Sequence, residues 1–98
     1  MAYEISQWSK NQAERLKVTI KPSVYKNKKI DVFDKDGKLL ASIGDIRYKD
    51  YGIYLAGERR GEYPKGTANR NRYLYKKRHA KDLVVEGSAG YYANQILW

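Results

Sequence analysis

The chain contains no cysteine, one histidine and two prolines. The absence of cysteine excludes disulfides, thiol catalysis and cysteine-ligated zinc. The single histidine, His79, cannot build a zinc site without further ligands, and no glycine-rich phosphate loop or dinucleotide-binding motif is present. We therefore expect neither a metal nor a cofactor.

Long hydrophobic runs are also missing, since each apolar stretch extends over only a few residues. A helix that spans a bilayer needs about 20 consecutive apolar residues, so we expect no membrane partner. Residues 1–5 lack the basic start and apolar segment of a secretory signal peptide. The expected location is the interior of a cell, either cytoplasm or nucleus, or a virion assembled there, without secretion by a signal peptide.

Acidic residues are outnumbered, because 20 Lys and Arg face 11 Asp and Glu for a formal net charge of +9. Such an excess raises the affinity for phosphate-rich surfaces, although charge also serves solubility. The 98 residues suffice for one basic domain with a modest core, in which we expect residues 1–15 to be a flexible N-terminal segment. Because ten residues are Tyr and two are Trp, aromatic rings must build part of that core.

Alternation of apolar and polar residues predicts three strands. They cover residues 16–21, 28–34 and 38–43. Pro22 ends the first strand, and Asp34 with Gly37 predicts a tight turn between the second and the third. A short fourth strand is predicted over residues 51–55, followed by a loop over residues 57–67.

Three helices are predicted from capping residues and helix formers. Ser9 is a candidate N-cap for a short helix that ends near Leu16. Residues 68–82 contain good helix formers and neither Gly nor Pro. Ser88 is a candidate N-cap for a final helix that ends near Trp98. The predicted architecture is α+β: a three- or four-stranded antiparallel sheet with two C-terminal helices packed on it.

The predicted helix over residues 68–82 carries a series of basic side chains that no acid interrupts until its last residue. Its predicted phosphate-binding residues are Arg70, Arg72, Lys76, Lys77, Arg78, His79 and Lys81. On a helical wheel Tyr73, Leu74 and Ala80 form a narrow stripe, which predicts that this face packs on the sheet. Arg clamps a phosphate bidentately and Lys acts as a point charge. The alternative interpretation is a solvated helix face.

A second basic run precedes the predicted hairpin. Its predicted phosphate-binding residues are Lys17, Lys21, Lys28 and Lys29. Tyrosines are interleaved with the charge, and an exposed ring such as Tyr75 can stack on unpaired bases. We include Tyr75 in the predicted nucleic-acid-binding set; the alternative for each ring is packing in the core.

The acidic residues near the predicted turn make a poor catalytic set. They are Asp31, Asp34, Asp36 and Asp45. The spacing of a calcium loop is not met, and turn chemistry accounts for Asp34. His79 with Asp82 as its orienting group is a further candidate for acid–base work, but its basic surroundings disfavour a charged imidazole. We expect that the protein is not an enzyme and that none of its residues is catalytic.

Several short motifs follow one another along the chain. They are Ile20-Lys21-Pro22-Ser23, Ile43-Gly44-Asp45, Asp50-Tyr51, Arg72-Tyr73-Leu74, Arg78-His79 and Ile96-Leu97-Trp98. In this order they resemble a family of small uncharacterised proteins from large DNA viruses of algae and protists. The segment 57–68 departs from that family, which is shorter there. The resemblance implies a viral origin and no defined activity.

The expected function is that of a small nucleic-acid-binding accessory protein, which contacts phosphates without strong sequence specificity. DNA is favoured over RNA as the partner. The alternative is a minor virion structural protein that cements acidic surfaces of capsid subunits, with Trp98 and Tyr92 at the contact.

Overall fold

The computed structural model describes residues 3–81 and 87–98. Its three strands are β1 (Thr19–Pro22), β2 (Lys28–Phe33) and β3 (Leu39–Asp45). The helices of the described residues are α1 (Gln7–Leu16), α2 (Tyr51–Arg59), α3 (Thr67–Arg78) and α4 (Ala89–Leu97). The strands form one antiparallel sheet in the order β1-β2-β3. The predicted α+β class is therefore confirmed, with three strands in the sheet.

The turn between β2 and β3 forms as predicted, because local chemistry specifies it. Oδ1 of Asp34 accepts hydrogen bonds from the backbone N–H groups of Asp36 (2.9 Å) and Lys38 (2.8 Å). Gly37 supplies the positive φ of +85° that the turn requires. The hairpin then pairs Ile30 with Ile43 on the core side of the sheet.

The predicted fourth strand over residues 51–55 is wrong, because these residues form the first turns of α2. Asp50 is the N-cap, and its Oδ1 accepts a hydrogen bond from the N–H of Ile53 at 3.1 Å. The predicted loop starts later for the same reason, since Gly57 is a buried residue of α2. The ring of Tyr63 packs where a side chain at Gly57 would lie.

The short N-terminal helix predicted to end near Leu16 is present as α1, and the flexibility expected for residues 1–15 stays a prediction. Ser6, not Ser9, is the N-cap of α1, and its Oγ accepts from the N–H of Ser9 at 3.1 Å. The Oγ of Ser9 is buried and donates to the carbonyl of Ile96 at 2.7 Å, which attaches α1 to α4. Lys17 closes α1 in a left-handed conformation with φ of 60°. The first strand therefore begins at Thr19 instead of residue 16.

The two C-terminal helices differ in what they pack against. α4 begins where predicted, at the N-cap Ser88, whose Oγ accepts from the N–H of Tyr91 at 3.1 Å. It packs on β3 and α1, whereas the main neighbour of α3 is α2. α3 ends at Arg78, and Asp82, the predicted end of this helix, lies outside the described residues.

The core joins the sheet to the C-terminal helix. Its buried members are Ile30, Val32, Ile43, Ile96, Leu97 and Trp98. Aromatic rings complete it from the sides, as their abundance predicted, with Tyr54 and Tyr75 among those packed against the cluster. Burial of each aliphatic side chain stabilises the fold by roughly 1.5–3 kcal/mol. Across the described residues, no helix combines the length and the apolar character that crossing a bilayer requires.

Candidate nucleic-acid interface

The N-terminus of α3 is held by an acidic side chain from α2. Glu58 Oε1 accepts from the N–H of Gly66 at 3.0 Å, and Oε2 accepts from the N–H of Ala68 at 2.7 Å. These N–H groups have no partner within the helix, and the carboxylate also complements the helix dipole. The same backbone hydrogen bonds lower the pKa of Glu58. α3 is thereby fixed against α2 at its start.

The C-terminal half of α3 is held by a stack of rings. The ring centroids of Tyr75 and Trp98 are 4.7 Å apart, with an interplanar angle of 10°, and those of His79 and Tyr75 are 4.4 Å apart. Trp98 is itself buried, with 9% of its surface exposed. Tyr75 therefore belongs to the edge of the core, which is the alternative considered for this ring. Its prediction as a base-stacking residue is not supported by this position.

The predicted buried stripe of this helix is wrong. Tyr73 is 63% exposed and Leu74 38% exposed, and Ala80 is exposed as well. Successive residues of a helix are separated by about 100°, so Tyr73 and Tyr75 point about 200° apart. Since Tyr75 packs on Trp98, Tyr73 must face solvent. The face of α3 that packs on the core is therefore the one that carries Tyr75, and the stripe of Tyr73, Leu74 and Ala80 did not predict it.

Two of the predicted phosphate-binding residues of α3 are used within the fold. Arg72 Nε donates to the carbonyl oxygen of Trp98 at 2.6 Å, and its guanidinium lies 5.2 Å from the ring centroid of Tyr51. Lys76 Nζ donates to Oδ1 of Asn94. Burial, together with the charge of Arg72, lowers the pKa of Lys76. These two side chains attach α3 to α4 and are poorly placed to contact an external phosphate.

The other basic residues of this segment remain at the surface. They are Arg70, Lys77, Arg78 and Lys81, all of them exposed; we call these four the outward cations. The ion pairs found among residues 3–81 and 87–98 join other residues, so no Asp or Glu carboxylate there pairs with an outward cation. Their positive charge is therefore directed to solvent.

Lys29, predicted to bind phosphate, is instead buried. Its Nζ lies 2.9 Å from Oδ2 of Asp50, and the side chains are 3% and 0% exposed. The hydroxyl of Tyr3 donates to the same Asp50 oxygen, and burial together with the Asp50 charge raises the pKa of Tyr3. An unpaired charge would be very unfavourable at this position. The ammonium of Lys29 is thus used within the fold, although the side chain also lines a cleft beside α3.

The rest of the second basic run is exposed but belongs to another part of the fold. Lys17 ends α1, Lys21 lies in β1 with its Nζ 5.6 Å from the ring centroid of Phe33, and Lys28 begins β2. β1 packs mainly on β2 and α1, whereas α3 packs mainly on α2. The strand β1 and the helix α3 therefore have different main neighbours, although Lys29 of the second run and Arg78 of the first line the same cleft.

A cleft of about 680 Å³ lies between α3, α4 and the segment that joins β3 to α2. Its walls include Tyr48, Lys49, Tyr54, Asn71, Arg78 and His79, with Tyr75 and Trp98 also contributing. Of the tyrosines interleaved with the charge, sequence reasoning placed only Tyr75 in the predicted set, and it did not identify Lys49. The available signal was the pairing of Tyr48 with Lys49 immediately before a capping Asp.

Three of the four acidic residues considered for catalysis, Asp31, Asp34 and Asp45, have structural partners. Asp31 accepts hydrogen bonds from the hydroxyls of Ser23 (2.6 Å) and Ser42 (2.7 Å). Burial alone would raise the pKa of Asp31, but these bonds and that of the Val24 N–H lower it overall. Asp45 is paired with Arg47 at 2.7 Å, and Asp34 forms the turn between β2 and β3. Within residues 3–81 and 87–98 there is no group of three or more His, Asp or Glu that could hold a metal ion.

The position of Trp98 and Tyr92 bears on the capsid-cementing alternative. Trp98 is buried and Tyr92 packs against the core cluster. Tyr92 is only partly buried, and this alternative stays a prediction.

Comparison with known proteins finds no family model, no curated protein and no solved structure that matches the chain. The resemblance to the viral family therefore also stays a prediction.

Proposed function

We propose that the protein binds nucleic acid through the outward cations of α3 and contacts phosphates without strong sequence specificity. The observation that carries the proposal is their exposure on a helix whose described surroundings supply no Asp or Glu to pair with them. Neutralising phosphates with such side chains releases condensed counterions, which is the main source of non-specific affinity. The proposal assigns binding and no catalytic step, and DNA is the favoured partner.

The attachment of α3 makes its outer face a fixed platform. Glu58 holds the start of the helix, and Tyr75, Arg72 and Lys76 hold its second half from behind. The spacing of the three outward cations that lie within α3 is therefore set by the helix before a ligand arrives, and Lys81 follows three residues after the helix ends. A surface that needs little ordering loses less entropy on binding than a flexible basic tail does.

The test is a salt titration of binding to fluorescently labelled duplex and single-stranded DNA, followed by anisotropy. If the four outward cations each neutralise one phosphate, the log–log slope is about −3 to −4 for duplex and about −3 for a single strand. We expect measurable affinity to remain near 150 mM salt, at roughly physiological ionic strength. Loss of all binding at that concentration would refute the proposal.

A matched pair of variants separates a defined surface from total charge. Arg70→Glu/Lys77→Glu reverses two outward cations, and Lys35→Glu/Lys38→Glu reverses two exposed cations at the β2–β3 turn. Both variants change the net charge equally. We expect the first to lower affinity at least tenfold and to reduce the slope by about 2, and the second to have a small effect. Equal losses in both variants would mean that the charge acts only generically.

A further inference from the structure

We infer that the cleft beside α3 holds one unpaired nucleotide of a bound single strand, an inference that rests on the proposed function. The volume of about 680 Å³ lies within the range of roughly 300–1,000 Å³ that is common for small-molecule sites. Arg78 belongs both to the cleft wall and to the outward cations. A phosphate backbone that follows α3 would therefore pass the mouth of the cleft.

The charge of the cleft suits a phosphate-bearing ligand. Lys49 and Arg78 both lie on its wall, and a hydrogen bond with Tyr63 raises the pKa of Lys49. The acidic residue of the wall, Asp45, is paired with Arg47 at 2.7 Å, and this pairing lowers the pKa of Asp45 to about 2. The cations of the wall therefore outweigh its one exposed carboxylate, which already has a partner.

The aromatic groups of the cleft suit a base. Tyr48 is 67% exposed at its edge and can stack on a base, whereas Tyr75 and Trp98 are already stacked on each other and only line the wall. Stacking on an exposed ring tolerates any base, which agrees with binding that lacks strong sequence specificity. Asn71 adds a side-chain amide to the wall. Its Nδ2 donates to the carbonyl of Thr67 at 2.9 Å, and this bond leaves its Oδ1 as an acceptor for a ligand.

The cleft distinguishes single strands from duplexes. The bases of a duplex are stacked and paired, and extruding one costs a few kcal/mol. An unpaired base enters without that cost and gains the stacking contact. Duplex DNA would be left with the phosphate contacts of the outward cations alone. The inference therefore predicts tighter binding to single strands than to a duplex at the same salt concentration.

The first measurement uses the intrinsic fluorescence of Trp98. The chain has two Trp residues, and Trp8 packs on Tyr51 with ring centroids 4.8 Å apart, so Trp8→Phe leaves Trp98 as the reporter. We expect an unlabelled oligothymidylate to change this fluorescence in a saturable manner, and a duplex of equal length to change it much less. The label-free signal reports on the cleft and not on α3 as a whole.

The second measurement compares two exposed tyrosines. Tyr48→Ala removes a ring at the cleft, whereas Tyr25→Ala removes an exposed ring, 52% against 67%, in the segment between β1 and β2. Loss of one base stack corresponds to roughly a 5- to 150-fold loss of single-strand affinity. We expect that loss in Tyr48→Ala, a smaller loss in Lys49→Gln, and near wild-type affinity in Tyr25→Ala. Duplex affinity should change little in Tyr48→Ala.

The outcomes separate this inference from the proposed function. If DNA binding is salt-dependent and sensitive to Arg70→Glu/Lys77→Glu, but Tyr48→Ala and Lys49→Gln bind single strands like the wild type, the cleft inference is overturned and the proposed function stands. If neither form of DNA binds near physiological salt, both are overturned. Because Tyr48 and Lys49 are exposed, circular dichroism should show that these variants remain folded.

Discussion

Replacing Asp50 by Asn tests the buried pair that connects the N-terminal segment, β2 and α2. The carboxylate of Asp50 accepts from Lys29 Nζ at 2.9 Å and from the hydroxyl of Tyr3 through Oδ2, and from the N–H of Ile53 at 3.1 Å through Oδ1. An Asn oxygen can keep the capping bond to Ile53. The amide nitrogen then faces Lys29 and Tyr3, which are both donors. Asp50→Asn thus retains the shape and removes the acceptor together with the charge.

The expected loss follows from burial. The side chains of Lys29 and Asp50 are almost fully buried, at 3% and 0% exposure. Removing one partner of a buried ion pair typically costs about 3–5 kcal/mol of the free energy of unfolding. A domain of this size has a free energy of unfolding on the order of 5–15 kcal/mol. Asp50→Asn should therefore lower Tm by about 15–30 °C, measured by circular dichroism, with urea denaturation giving the free energy of unfolding.

Lys29→Met provides the contrast, because it leaves a different residue without its partner. In Lys29→Met the Asp50 carboxylate would keep two neutral donors, the Tyr3 hydroxyl and the Ile53 N–H. In Asp50→Asn the Lys29 ammonium would lose its carboxylate and keep the contact with the ring of Tyr3, whose centroid is 5.3 Å away. Lys29→Met should therefore cost less than Asp50→Asn. The double variant should be more stable than Asp50→Asn alone, since no charge is left buried. Additive losses, or a loss below about 1 kcal/mol in Asp50→Asn, would refute this account.

Two further predictions concern how α2 holds its neighbours. Glu58→Gln should weaken the attachment of α3 at pH values above the ordinary Glu pKa of 4.5. Because the pKa of Glu58 is lowered in the folded protein, the greater stability of the wild type is lost as the pH falls through that lower value. Tm measured against pH should show the two proteins converging in acid, and parallel curves would contradict this. Gly57→Ala should destabilise the fold despite the better helix propensity of Ala, since the new Cβ would lie 2.2 Å from Cδ2 of Tyr63. Urea denaturation checks the sign, and Tyr63→Ala should remove the penalty.

The parts of the fold that sequence reasoning predicted are those with a local cause. The hairpin follows from period-two alternation and from Asp34 and Gly37, which lie within four residues of one another. The final helix follows from the capping by Ser88. In both cases the residues that determine the structure are neighbours in the sequence, so the pattern carries most of the information.

The parts that were wrong depend on contacts between distant residues. Residues 51–55 are a short apolar run, and periodicity alone does not distinguish a strand from a buried helical turn at that length. The contacts of Asp50 determine that these residues are helical, because Asp50 caps α2 and neutralises Lys29, 21 residues away. The same contact uses the ammonium of Lys29 within the fold, although the sequence predicted that it binds phosphate. Composition identified the basic segment, but it could not show which of its cations the fold would use internally.

The orientation of α3 links the stability of the fold to both proposed binding features. Tyr75 packs on Trp98, and at about 100° per residue this contact determines the direction of every other side chain of the helix. Lys77 points about 200° and Arg70 about 220° away from Tyr75, so both are directed outward. Arg78 lies only about 60° from Tyr75, which explains why it is exposed and also lines the cleft. The outward direction of Arg70 and Lys77 and the position of Arg78 at the cleft therefore follow from one orientation of α3, to which the contact of Tyr75 with Trp98 contributes, and a change that turned α3 would alter both binding features together.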